Sequence, residues 1–169
     1  MRFALAAALG LLATAARPAA APPPTTSPTL ADRVLVEKAH HRLSLLRQGQ
    51  VLRVYRVALG SGGLAPKRRQ GDNRVPEGTY ALDSRNAGSA YHRALHVSYP
   101  SAADRARAKA QGVDPGGDIM IHGLPNGYGW IGAGHRLHDW TRGCIAVTDT
   151  EIEEIWRLVP NGVTIEIRP

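Results

Sequence analysis

Alternating apolar and polar residues are the clearest pattern along this 169-residue chain. Such alternation, with short apolar runs between turn residues, predicts strands that pack one face against a core. Seven segments are predicted as strands: 33–38, 42–47, 51–59, 79–82, 94–99, 118–122 and 164–167. The first three are expected to pair as antiparallel strands, with a turn at Gln48 and Gly49.

Two segments carry the signals of short helices. Ser101 and Asp104 are spaced as a helix N-terminus, and an alanine-rich segment follows as far as Gly112. Thr148 and Glu151 form a second such pair, and apolar residues follow at helical spacing. Segments 60–74, 83–92 and 123–134 are expected to be loops. The sequence therefore predicts a mainly β fold, either a sandwich or a partly closed barrel, with two short helices.

The N-terminal 21 residues predict a secretory signal peptide. Arg2 is followed by the apolar segment Phe3–Ala13 and then by small residues up to Ala21. Cleavage after Ala16 and retention as an uncleaved anchor are the alternatives. Residues 22–32 are rich in proline and threonine and are expected to form an extended linker. Residues 33–169 are expected to form one domain that is long enough for a hydrophobic core, without a further apolar stretch that could span a membrane.

The formal charge of the chain is +7. Removing the signal peptide takes away Arg2 and Arg17, which leaves +5. A soluble basic surface explains this charge, and attraction to an anionic cell envelope is the functional alternative. Nucleic acid is an unlikely partner for an exported protein. The expected location is therefore the periplasm or the cell envelope.

Cys144 is the one cysteine of the chain, so it has no partner for an internal disulfide. Gly143 and the polar pair Thr141 and Arg142 precede it, which indicates a tight turn. On these residues alone, a buried structural cysteine and a nucleophile are about equally well supported. His122 ends a short apolar run and is the candidate base. Backbone N–H groups of the 142–144 turn could form an oxyanion hole.

Further residues near this segment are candidates for substrate binding. Trp140 directly precedes the cysteine turn and is expected either to pack against it or to contact substrate. Other candidates lie in the irregular loop 83–92, where a surface role is the alternative: Arg85, Asn86, Tyr91 and His92. A zinc site at His135 and His138 is disfavoured, because no carboxylate or second cysteine stands at ligand spacing. The sequence predicts no metal site.

Several motifs occur in the order typical of one enzyme family. IMIHG at 119–123 is followed by a glycine-rich loop and by TRGC at 141–144. Upstream lie KRRQGDNRVPEGTYALDSRN and SAYHRALHVSYP, and DWTRGCIAVTDTEIEEIW completes the set. Together these segments resemble the YkuD-type L,D-transpeptidase catalytic domain, in particular its murein L,D-transpeptidase branch common in Gram-negative bacteria. The resemblance covers roughly residues 33–168.

The resemblance assigns roles to residues of this chain. It implies Cys144 as the nucleophile, His122 as the base, and Gly123 as the residue whose carbonyl holds the imidazole tautomer. Thr141 and Gly143 match the motif around the nucleophile, whereas Arg142 stands where many members have histidine. Ala146 is a second departure, as is the long separation between His122 and Cys144. These departures bear on the acceptor and the direction of the reaction.

The resemblance also implies a reaction that needs no metal or organic cofactor. A cysteine thiolate attacks a peptidoglycan stem peptide at its L-centre residue, and the terminal D-amino acid leaves a thioester behind. An amine then resolves the thioester, which crosslinks the wall or attaches a protein to it. If water resolves it, the enzyme is a carboxypeptidase or endopeptidase. A non-catalytic wall-binding module with a structural cysteine is the alternative of another class.

Overall fold

A computed structural model describes residues 29–169 and contains eight strands and two α-helices. The strands are β1 (Arg33–Glu37), β2 (Arg42–Arg47), β3 (Gln50–Arg56), β4 (Gly78–Asn86), β5 (Ala94–Val97), β6 (Met120–His122), β7 (Ile145–Ala146) and β8 (Thr164–Arg168). The α-helices are α1 (Ala102–Ala110) and α2 (Asp149–Leu158). Two 3-10 helices span Lys38–His40 and Gly129–Leu137. The predicted mainly β fold class is confirmed.

All eight strands belong to one sheet, in the order β3-β2-β1-β8-β4-β5-β6-β7. β1, β2 and β3 form the predicted antiparallel unit, while β8 lies parallel to β1 and β7 parallel to β6. The chain that leaves β3, at one edge, pairs with the opposite edge: Ala58 bridges Ala146, and Gly60 bridges Thr141. These two isolated bridges join the edges over a short length, so the sheet closes in part and forms a half-barrel.

Both predicted helices begin at the expected residues. Ser101 caps α1 and Thr148 caps α2, each through a reciprocal capping box with the acidic residue three positions later. Such a cap typically contributes about 1 kcal/mol to helix stability. On α2, Ile152 and Ile155 are fully buried in the core that also contains Val34, Leu43 and Ile165. The helix is therefore anchored beside β7, directly after the cysteine turn.

Apart from shifts in the ends of strands, the structure departs from the predicted elements in three places. β7 is an additional strand of two residues, too short to give an alternating pattern. β4 continues to Asn86, through a segment predicted as loop, because its exposed polar residues pair with β5. The predicted loop 123–134 contains most of the Gly129–Leu137 3-10 helix, which is kinked at Gly132. In each case, the element is formed by strand pairing or by tight local turns, and the hydrophobic pattern used for the prediction does not report either.

The described residues begin within the predicted linker. Ala31 is buried in the core and its N–H donates to the Leu158 carbonyl, so the packed part of the chain starts two residues before Arg33. The predicted signal peptide and most of the linker lie outside residues 29–169. Within that range, no helix is long and apolar enough to cross a membrane.

Candidate active site

A cavity of about 330 Å³ opens at the edge formed by β5, β6 and β7. Most of the candidate site residues from the sequence analysis line it: Asn86, Tyr91, His122, Trp140, Thr141, Arg142 and Cys144. Sequence reasoning had missed the other lining residues, which are Ser89, Ala94, Asp118 and Met120. None of these four has a side-chain type that singles out a site, although Asp118 and Met120 immediately precede His122 in the same segment.

The parallel pairing of β6 with β7 brings His122 and Cys144 to the same cavity. Ile121 pairs with Ile145 and His122 with Ala146. His122 therefore ends β6, while Cys144 directly precedes β7 on the neighbouring strand. Their separation along the chain is taken up by the segment that contains the second 3-10 helix. Two strand ends are a rigid support for a catalytic pair.

His122 is only 4% exposed, and one hydrogen bond defines its tautomer. Its Nδ1–H donates to the Gly123 carbonyl oxygen, 2.7 Å away, which leaves Nε2 without a proton in the neutral ring. Burial lowers the pKa of His122, and the bond to Gly123 offsets this only in part. The ring also contacts Tyr91, with 4.5 Å between the ring centroids. The imidazole is thus held neutral, with Nε2 available as a base.

The Gly123 carbonyl is itself fixed in place. The N–H of Gly123 donates to the carbonyls of Tyr91 and Arg93. A Cβ on Gly123 would lie 2.7 Å from Asp149 Oδ1. A side chain would therefore force the Asp149 carboxylate or the Gly123 backbone to move. The close approach of α2 thus favours glycine here, with its carbonyl on the histidine ring.

The Cys144 thiol is half-buried and donates weakly to the Asp118 carbonyl, at a sulfur–oxygen distance of 3.5 Å. Burial raises the pKa of the thiol, the Met120 N–H lowers it, Asp118 raises it and Lys67 lowers it. The net pKa lies above the ordinary value. Together with the neutral imidazole, this means that the two side chains rest as a protonated thiol and an unprotonated Nε2.

Thr141 closes the turn that presents the cysteine. Its hydroxyl donates to the Cys144 carbonyl at 2.7 Å and accepts from the Gly143 N–H at 3.1 Å. Gly143 has a φ of 119°, and a Cβ there would lie 2.7 Å from the Arg74 carbonyl oxygen. The turn therefore requires glycine at this position. Because the Gly143 N–H is bound to Thr141, the remaining N–H donors of the turn belong to Arg142 and Cys144.

Two of the predicted substrate-binding residues lie beside α2 and do not line the cavity. Arg85 donates to the Val159 carbonyl at 2.6 Å and to the Trp156 carbonyl, and its guanidinium lies over the Trp156 ring. It therefore satisfies carbonyls at the C-terminus of the helix. His92 pairs through Nε2 with Glu153 at 2.9 Å. Trp156 itself is partly buried and packs against the core, with Arg85 over its ring.

Trp140 lies between the cavity that contains Cys144 and a second, mostly apolar cavity of about 290 Å³. Its indole N–H donates to Nδ1 of the buried His135 at 3.4 Å, and burial lowers the pKa of that histidine. His138 lines the second cavity as well. Trp140 thus both packs beside the turn and borders the site. Within residues 29–169, no group of three or more His, Cys, Asp or Glu side chains could hold a metal ion.

Comparison with known proteins identifies the family to which the chain belongs. The profile of YkuD, the L,D-transpeptidase catalytic domain, matches residues 31–167. YafK from Escherichia coli strain K12, provisionally named an L,D-transpeptidase, is 34% identical over 118 residues, which are 69% of this chain and 40% of YafK. The chain therefore spans about two fifths of the length of that relative.

Solved structures place the fold in the same group. The helical cell shape determining protein Pgp2 from Campylobacter jejuni is 27% identical, with a TM-score of 0.62 over 81% of this chain and 47% of Pgp2. An L,D-transpeptidase from Xylanimonas cellulosilytica, 16% identical, has the same fold, with a TM-score of 0.56 over 86% of this chain and 64% of that one. The chain belongs to the YkuD family of L,D-transpeptidase catalytic domains.

Proposed function

We propose that this domain is a cysteine-dependent peptidoglycan L,D-transpeptidase. The observation that carries the proposal is the arrangement of His122 and Cys144 at one cavity, with His122 Nδ1 bound to Gly123. That bond directs the basic nitrogen away from the backbone, as a general base for a thiol requires. The substrate is a peptidoglycan stem peptide, and Asn86, Tyr91 and Trp140 are the side chains available to hold it.

The first half of the reaction forms a thioester. His122 Nε2 takes the Cys144 proton as the sulfur attacks the carbonyl carbon of the L-centre residue. The N–H groups of Arg142 and Cys144 bind the oxyanion, since Thr141 already engages that of Gly143. Collapse of the tetrahedral intermediate breaks the bond to the terminal D-amino acid. Its amine leaves with the proton that His122 returns.

The second half transfers the acyl group to an amine. His122 removes a proton from the amine as it attacks the thioester carbon, and the sulfur then leaves as a thiolate that regains the proton. The product is a new amide, either a wall crosslink or a link to a wall-attached protein. Every step uses only groups of this chain and of the two substrates. The proposed location of the reaction is the cell envelope outside the cytoplasm.

Hydrolysis at the same site is the second candidate, and Arg142 is the observation that favours it. This exposed guanidinium lines the cavity directly beside the nucleophile. A cation at this position repels an ammonium group, whereas water carries no charge to be repelled. Water attacking the thioester would make the protein a carboxypeptidase, or an endopeptidase that cuts crosslinks or peptidoglycan–protein links.

Incubation with a disaccharide-tetrapeptide, followed by mass spectrometry of the products, tests the proposal. New dimers support transfer, whereas trimmed monomers alone support hydrolysis. Iodoacetamide labelling of Cys144 that depends on His122 separates both from a wall-binding module with a structural cysteine. An unchanged substrate together with an unreactive thiol would support that module and overturn both enzymatic proposals.

The rate should fall at acid pH as His122 becomes protonated. Burial places the pKa of His122 below its ordinary value of 6.5, and the neutral ring is the active base. We expect kcat/KM to be fully retained at pH 7 and lost only as the pH falls through that lowered pKa. A pH profile with the tetrapeptide measures this. An acid limb centred at or above 6.5 would contradict the role assigned to the buried imidazole.

A further inference from the structure

Lys67 is a buried ammonium in the basic run 67–69, in the loop between β3 and β4. It is 4% exposed, and its Nζ donates to Asp72 Oδ1 and to the Arg69 carbonyl, both at 3.0 Å. Its backbone N–H donates to the Val75 carbonyl at 3.2 Å. A side chain held in this way cannot reach anionic wall polymers. A buried charge is costly unless it is paired, so the pair needs a structural or functional reason.

The Asp72 carboxylate accepts hydrogen bonds from several groups of the loop around Lys67. It accepts from the N–H groups of Arg68 at 2.7 Å, Arg69 at 3.0 Å and Arg74 at 3.1 Å, in addition to Lys67. Burial by itself would raise the pKa of Asp72, but these bonds together lower it to about 2. The carboxylate is therefore ionised at any pH at which the enzyme would work, and segment 67–75 closes on a charged pair.

The closed segment packs directly behind the nucleophile. The Gly62 N–H donates to the Asn73 carbonyl at 2.9 Å, which ties the segment to the chain following β3. The Arg74 carbonyl faces Gly143 so closely that a Cβ there would lie 2.7 Å away. Gly143 is covalently bonded to Cys144. The position of the Arg74 backbone, which Asp72 holds, thus limits where the cysteine turn can lie.

We propose that the Lys67–Asp72 pair is a positioning element of the active site, which holds Arg74 against Gly143 and places a positive charge near the Cys144 thiol. The proposal rests on Cys144 being the nucleophile. It extends the mechanism to residues outside the cavity, because neither Lys67 nor Asp72 lines it.

The charge of Lys67 acts on the Cys144 thiol together with charges of both signs in the cavity. Asp118, His122 and Arg142 line the cavity with Cys144, and His122 is neutral at rest. Asp118 disfavours the thiolate, and Lys67 favours it. Because Asp72 partly neutralises Lys67, the two members of the pair should influence the thiol in opposite directions. A purely mechanical role would instead give both members the same effect, namely a looser turn.

The test is the pH dependence of Cys144 alkylation by iodoacetamide, followed by mass spectrometry. In Lys67→Met the midpoint should rise by about half a pH unit or more, since a nearby cation is removed. In Asp72→Asn, which keeps the shape of the side chain, it should fall. Arg68→Met is the matched control: it removes the same charge from an exposed position in the same loop and should leave the midpoint unchanged.

Each outcome bears on one proposal. Midpoints that rise in both pair variants, or that match the Arg68→Met control, would overturn the proposed effect of the pair's charge on the Cys144 thiol. If Lys67→Met does not fold, Asp72→Asn decides alone: a lower midpoint supports the proposal, and an equal or higher one overturns it. A wild-type thiol without His122-dependent alkylation would instead overturn the proposed function, which makes the two failures distinguishable.

Discussion

Cys144→Ser is expected to reduce turnover of the disaccharide-tetrapeptide by about a thousandfold or more. A serine hydroxyl is far less acidic than a thiol, and the neutral, buried His122 is too weak a base to compensate for the difference. The fold should persist, because the thiol contacts the Asp118 carbonyl only weakly, at 3.5 Å, and a serine hydroxyl can also accept from the Met120 N–H. Product formation measured by mass spectrometry gives the rate.

The control for this substitution is the stability of the same variant. Its circular dichroism spectrum and its free energy of unfolding should lie within about 1 kcal/mol of wild type, as is usual where no buried contact is lost. Met120→Leu offers a second comparison, because it changes another cavity residue without changing the nucleophile. Turnover retained in the serine variant would sink the assignment of Cys144 as the nucleophile.

Gly143→Ala should damage both stability and rate. A φ of 119° is strained for alanine, and the new Cβ would meet the Arg74 carbonyl oxygen at 2.7 Å. Such strain and overpacking cost about 2–4 kcal/mol together. Because the turn must shift to relieve the contact, Cys144 moves with it, and a displacement of this kind lowers the rate by roughly a hundredfold. Chemical denaturation and the tetrapeptide assay measure the two effects.

Gly117→Ala is the matched control. Gly117 directly precedes the cavity residue Asp118, its φ is not positive, and a Cβ there would meet nothing within 4 Å. Its substitution should change the free energy of unfolding by less than about 1 kcal/mol and leave the rate unaltered. Equal behaviour of the two alanine variants would show that the approach of Arg74 to Gly143 does not constrain the cysteine turn.

The predictable part of the fold was the part with strong local signals. The two capping boxes placed the starts of α1 and α2 correctly, because a cap depends on residues only three positions apart. Alternation located β2 at its observed bounds and β1 and β8 to within one residue. β7 escaped prediction, because two residues are too few to alternate and the strand exists only through its pairing with β6.

Within the candidate site, chemistry and position along the chain were sufficient for the central pair. A single cysteine after a glycine, and a histidine at a strand end, are visible in the sequence, and both line the cavity. Arg85 and His92 have equally suggestive side chains, yet they pair with α2. Their partners lie more than 60 positions away along the chain, so no local pattern could distinguish them from Asn86 and Tyr91.

The sequence by itself determined the family resemblance, the mainly β class, both helix starts and the candidate nucleophile and base, since each depends on side-chain chemistry or short spacings. Only the tertiary structure decided which turn N–H is already bound to Thr141, that Arg85 and His92 lie beside α2, and that Lys67 is buried on Asp72. The physical reason is that burial and hydrogen bonding depend on how distant segments pack. The same basic run would be a solvated loop if segment 67–75 did not close behind Gly143.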